Sequence, residues 1–114
     1  MREKPRDKER LIHINQAIEN IESFIKNKTY EEFYQDPILY HAVVNNLAIL
    51  GEAAYKLTKD FLDNHPEVPW KDIIHMRHFL IHGYYQVAKN IIWDTIKEDL
   101  QPLKNNINKF LKEE

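Results

Sequence analysis

Cysteine is absent from these 114 residues, so no disulfide framework and no thiolate chemistry can be built. That fits a reducing compartment. No run of the sequence approaches membrane-spanning length, and no apolar segment follows the opening Met1-Arg2-Glu3-Lys4-Pro5. A cytoplasmic location and no membrane association are therefore expected. An excess of positive charge is also missing: 16 Lys and Arg stand against 18 Asp and Glu, a formal net charge of −2. Generic nucleic-acid binders are usually basic. The balance weighs against DNA packaging or transcription-factor roles, and any RNA contact must come from a few focused cations. Strand-period segments, internal repeats and low-complexity tracts are lacking too. Glycine occurs only twice, while five prolines punctuate the chain, a pattern of helices joined by short loops.

What is present is ordinary globular composition, with 43% hydrophobic and 30% charged residues. A chain of this length buries roughly 60–70% of its unfolded surface. Residues 1–114 are expected to form one domain.

Residues from about Asp7 to Lys26 carry Leu11, Ile14, Ile18, Ile21 and Ile25 at three- and four-residue spacing, the stripe of an amphipathic helix. Thr29-Tyr30-Glu31-Glu32 has the capping-box pattern and opens a short helical turn through Phe33. Asp36-Pro37 starts a longer helix expected to reach about Asn64. Its early part, Ala42 to Ala54, is apolar on most sides, as a central helix would be, and Ala42, Ala48, Gly51, Ala53 and Ala54 permit close helix approach. After the rigid loop His65-Pro66-Glu67-Val68-Pro69, Trp70 opens a further helix that Gly83 should end in a left-handed conformation. Asn90 is expected to cap a last helix that Pro102 kinks or divides. The fold class is all-α: an antiparallel up-and-down bundle of four main helices plus a short one.

The helix opened by Trp70 holds the densest chemistry. Arg77-His78-Phe79-Leu80-Ile81-His82-Gly83-Tyr84-Tyr85 packs one arginine, two histidines and two tyrosines into nine residues. Arg77, His82 and Tyr84 read as Arg-x4-His-x-Tyr. Arg77 shares a stripe with Ile73, Leu80 and Tyr84, and burying a guanidinium unpaired is costly. Either it pairs with an acid, Glu52 being a candidate, or the stripe faces a cleft or a second subunit. A structural ion pair and a core histidine would account for the same residues without any catalysis. His75, His78 and His82 also fall at i, i+3 and i+7, a weak one-helix metal pattern that no supporting carboxylate strengthens. Asn46 and Glu52, on the central helix, could hydrogen-bond the motif across the bundle. Trp70, Trp93, Tyr30, Tyr34, Tyr40 and Tyr55 read as core and interface aromatics.

The motif resembles the Arg-x4-His-x-Tyr signature of the HEPN superfamily, and of its HepT-like toxin family in particular. The similarity extends through Phe33-Tyr34-Gln35-Asp36, Ala42 to Leu47, Ile49 to Ala54, Pro66 to Trp70, Val87, Trp93-Asp94 and Asp99-Leu100, in the family's order. His78 departs from the pattern by standing where the family usually has asparagine. The resemblance implies a HEPN-like helical bundle and a ribonuclease acting as the toxin of a type VII-like toxin–antitoxin pair. It implies Arg77 and His82 as the nuclease pair, with no metal or other cofactor, and a homodimer whose two motifs face one cleft. It further implies a minimal nucleotidyltransferase antitoxin, MntA-like, that silences the toxin by AMPylating Tyr84, and it allows a higher oligomer in the complex. His78, Glu52 and Asn46 would then support the site. The competing function class is a catalytically inactive HEPN module that binds a nucleotide or a protein, since fold alone does not establish activity.

Overall fold

The computed structural model describes residues 3–83 and 88–113, with the side chains of 6–80 and 88–113. Seven helices follow one another among the described residues: α1 Glu3–Ile25, α2 Tyr30–Gln35, α3 Pro37–Tyr55, α4 Lys59–Asn64, α5 Trp70–Gly83, α6 Lys89–Glu98 and α7 Leu100–Glu113. The fold is an all-α bundle of HEPN type. Its main members are α1, α3, α5 and the α6–α7 pair, and α3 lies at the centre between α1 and α5.

The stripe expected on α1 is the one that is buried: Leu11, Ile14, Ile18 and Ile21 are fully enclosed, with Ile25 close behind. The helix stops because Asn27 turns left-handed at φ 61°, a conformation asparagine tolerates at a helix end. Thr29 and Glu32 then form both halves of the capping box that starts α2. The Asp36 carboxylate accepts from Leu39 N at 3.1 Å and Pro37 opens α3. Two polar links fasten α1 to its neighbours. Asn20 Nδ2 donates to Asn46 Oδ1 at 3.1 Å. Buried Asp7 accepts from both the backbone N–H and the hydroxyl of Thr58, at 2.9 and 2.8 Å.

Three boundaries differ from the sequence expectation. The central helix does not run to Asn64 but ends at Tyr55, because Thr58, held by Asp7, caps a separate α4 through Phe61 N at 3.1 Å. That turn drives Phe61 into the core. Asn90 is not the cap of the last helical region: Ala88 occupies the cap position and offers no side-chain bond. The division near Pro102 falls at Asp99, which leaves the proline in the first turn of α7, where its missing N–H breaks no helical bond. One apolar stripe nonetheless continues across the break, through Ile92, Ile96, Leu100, Leu103, Ile107 and Phe110, all buried.

Candidate active site

The α5 helix brings Arg77 against α3 at Gly51 and Glu52. A Cβ built on Gly51 would collide with Arg77 Cβ and lie 3.2 Å from its Cα. Glycine is what lets the two helices come this close. One residue further, Arg77 Nε donates to Glu52 Oε1 in a charge-assisted hydrogen bond. The second carboxylate oxygen lies 3.4 Å from Lys56 Nζ. The Arg77 guanidinium also rests over the Tyr55 ring, 4.8 Å from its centroid, in cation–π geometry.

Two α3 side chains, Glu52 and Tyr55, therefore position one α5 cation, and Lys56, which caps α3, holds the other oxygen of Glu52. The Arg77 side chain keeps 24% of its surface exposed and that of Glu52 37%. The pair is thus neither sealed in the core nor loose in solvent. Arg77's hydrogen bond, then its charge and that of Lys56, hold the Glu52 carboxyl below its ordinary value of 4.5, with desolvation opposing. Glu52 is an acceptor at neutral pH and leaves the terminal nitrogens of Arg77 as the groups that could meet an anion.

The other residues singled out by sequence fall as follows. His82 lies in the last turn of α5, five positions beyond Arg77, with its side chain outside the described set. Tyr84 lies outside the described residues. His78 is on α5 and exposed. His75 is exposed and meets Phe79 edge-on at 5.8 Å. Asn46 is buried, but its amide serves α1 and its own helix: it accepts from Asn20 and donates to Ala42 O at 2.9 Å. The structure thus brings Glu52, and not Asn46, to Arg77. Among the described residues, no three His, Asp or Glu side chains gather as a metal site. Of the aromatics, Trp70 is buried and donates to His65 O at 2.9 Å, and Trp93 packs 5.1 Å from Phe33. Tyr55 is different. It is exposed and sits beside Arg77, and nothing in its spacing along the sequence marked it out.

A separate cleft of about 350 Å³ opens between α3, α5 and the α6–α7 pair. Leu47, Leu50, Val68, Ile73 and Leu103 line it, and Glu67, Asp72 and Asp99 bring its charge. A cleft with that lining repels phosphate. The chemistry suited to RNA lies at Arg77.

The fold is that of the HEPN class, an all-α bundle in which the helix bearing Arg77 packs against the central helix. A family model described as Ribonuclease HepT-like matches residues 14–110, and the chain belongs to that family. It is 40% identical over 104 residues to "Putative RNase TTE0752" of Caldanaerobacter subterraneus subsp. tengcongensis, covering 91% of this chain and 93% of the relative. It is also 40% identical over 105 residues to "Probable ribonuclease HepT" of Thermococcus cleftensis, covering 92% and 96%. No solved structure matches at a significant level. No described helix is long and apolar enough to cross a membrane.

Proposed function

We propose that this protein is an endoribonuclease that cleaves RNA without a metal, using Arg77 and His82. The observation that carries the reading is the fixed, half-exposed Arg77, held by Glu52 and Tyr55 on the helix that bears His82 five residues later. Membership of a ribonuclease family and the names of its relatives support it.

The chemistry is that of a strand that carries its own nucleophile. A histidine takes the proton of the ribose 2′-hydroxyl, the 2′-oxygen attacks phosphorus, and the 5′-oxygen leaves with a proton from a second acid. The products are a 2′,3′-cyclic phosphate and a 5′-hydroxyl. Histidine is the side chain whose ordinary pKa suits proton transfer near neutrality, and His82 is the motif's histidine. Arg77 stays charged and neutralises the phosphorane. One imidazole cannot readily be base and acid in the same step. A homodimer supplies the second His82 across a shared cleft, and His78 is a further proton carrier. The α3 face that bears Glu52 also exposes Ile38 and Ile49, which suits pairing with a second copy. Arg77→Ala and His82→Ala should each cut cleavage by ~10²–10⁴-fold. Variants that cleave as fast as the parent sink the mechanism, whereas a parent that never cleaves is better described as an inactive binding module.

The same reading makes the protein the toxin of a toxin–antitoxin pair, with an MntA-like nucleotidyltransferase as partner and Tyr84 as the AMP acceptor. An added phosphate next to the motif would repel the RNA backbone and occlude the cleft. Incubation with such a transferase and ATP should add AMP to the intact chain and abolish cleavage. An unchanged mass, or a gain that persists in Tyr84→Phe, removes Tyr84 from this role.

A further inference from the structure

A second cavity, of about 310 Å³, lies between α1 and α3, and Glu52 but not Arg77 is part of its lining. Arg10, His13, Glu52 and Lys56 bring its polar groups, and Ala48, Ile49 and Ala53 complete the wall. Three features make it more than a gap. First, Arg10 Nε is buried with no hydrogen-bond partner. A buried donor without a partner is unfavourable, and the residue that carries it is one of those lining the cavity. Second, among the described residues Arg10 and His13 enter no ion pair, and the one carboxylate in the lining, Glu52, is already bonded to Arg77. Third, the cations concentrate here in a chain whose net charge is −2. Arg10 and Lys56 line the cavity with a single glutamate, which also pairs with Arg77, so the wall keeps positive charge before His13 is counted.

We infer that the Arg10–His13–Lys56 cavity is a second phosphate subsite, which holds the RNA strand one or more nucleotides away from the phosphate gripped by Arg77. This rests on the ribonuclease reading and adds a substrate contact from α1, an element the Arg-x4-His motif does not touch. Glu52 is the partition between the two anion sites. It orients Arg77 on one side and Lys56 on the other, so two successive phosphates need not compete for one cation. An acidic protein can thereby hold a polyanion through a short row of placed charges.

The test is binding of a non-cleavable 2′-O-methyl RNA oligonucleotide, followed by fluorescence anisotropy across a salt series. Each phosphate contact on a single strand contributes a slope of about −0.7 in log K against log salt. Arg10→Gln should flatten the slope by about that amount and weaken binding roughly tenfold. Lys56→Gln, at the exposed edge of the cavity, should act in the same direction, and it covers the case in which Arg10→Gln fails to fold. An unchanged slope in a folded variant overturns the subsite. So does an equal loss from Lys28→Gln, in the α1–α2 turn, because that marks bulk charge. Cleavage by the parent chain is scored separately. A parent that binds with the Arg10-dependent slope but never cuts retains the subsite and loses the nuclease reading. A parent that cuts while Arg10→Gln binds with the parental slope does the reverse.

Discussion

Arg77 poses the central problem at the scale of single residues: a permanent cation on a stripe otherwise made of Ile73 and buried Leu80. Glu52 solves it within one chain by accepting from Nε, and Tyr55 covers one face of the guanidinium. The pair also sets a pH dependence. The folded carboxyl titrates below its ordinary value, chiefly through Arg77's hydrogen bond. The unfolded chain therefore binds the proton first as pH falls, and the stability that Glu52 contributes is present above about pH 4.5 and lost below it. The contribution is modest, because the carboxylate is partly solvated. Thermal melts between about pH 3 and 6 should show Glu52→Gln less stable than the parent at the upper end, with the gap closing in acid. A constant gap would mean that ionisation of Glu52 is irrelevant to its role. Sequence reading reached Arg77 and Glu52 from their residue types. It had no route to Tyr55, Arg10 or His13, whose relevance comes from what lies beside them in space.

At the scale of elements, one helix contact decides the site. The α3 and α5 helices meet where Gly51 faces the Arg77 backbone. The small residues of the central helix already pointed to close packing there. Gly51→Ala forces the helices apart against backbone and Cβ atoms that cannot swing away, and should cost about 1–3 kcal/mol. Since Arg77 moves with α5, cleavage should fall more than stability alone explains. A urea midpoint and a cleavage rate measured on the same sample check both, and parental values for both would show that the close approach is dispensable. The element boundaries were less legible. Beyond Gly51 the helix pattern from Asp36 continues through Leu57 and Phe61 with no further glycine and no proline to stop it. What ends α3 is the Asp7–Thr58 contact, between residues 51 positions apart, and no local window contains both.

Across the whole molecule, 47 × 28 × 20 Å in extent, the bundle closes when α7 lies along α1. Phe110 of α7 is fully buried and stands 5.8 Å from Phe61 of α4 and 4.3 Å from His65. Lys104 Nζ bonds Glu22 at 2.8 Å across the same seam. Phe110→Ala should destabilise the protein by about 3–5 kcal/mol, even though it lies on an element that carries none of the motif. If the whole chain folds as one unit, denaturation followed by helix content and by tryptophan fluorescence should shift together. Separated transitions would reveal two folding units and argue against reading residues 1–114 as a single domain.

The sequence alone determined the helical class, the buried face of α1, the two capped starts at Thr29 and Asp36, and the motif with its family. Each of these is written in spacing over a few turns, or in residue types at fixed offsets, which is information a linear chain carries. The tertiary structure decided where α3 stops, that Glu52 and Tyr55 rather than Asn46 hold Arg77, and that α1 brings Arg10 and His13 to a cavity that Glu52 also lines. Those outcomes depend on side chains far apart in the chain meeting at one point. Opposite charge, and the space glycine leaves, select the partners only once the helices have packed.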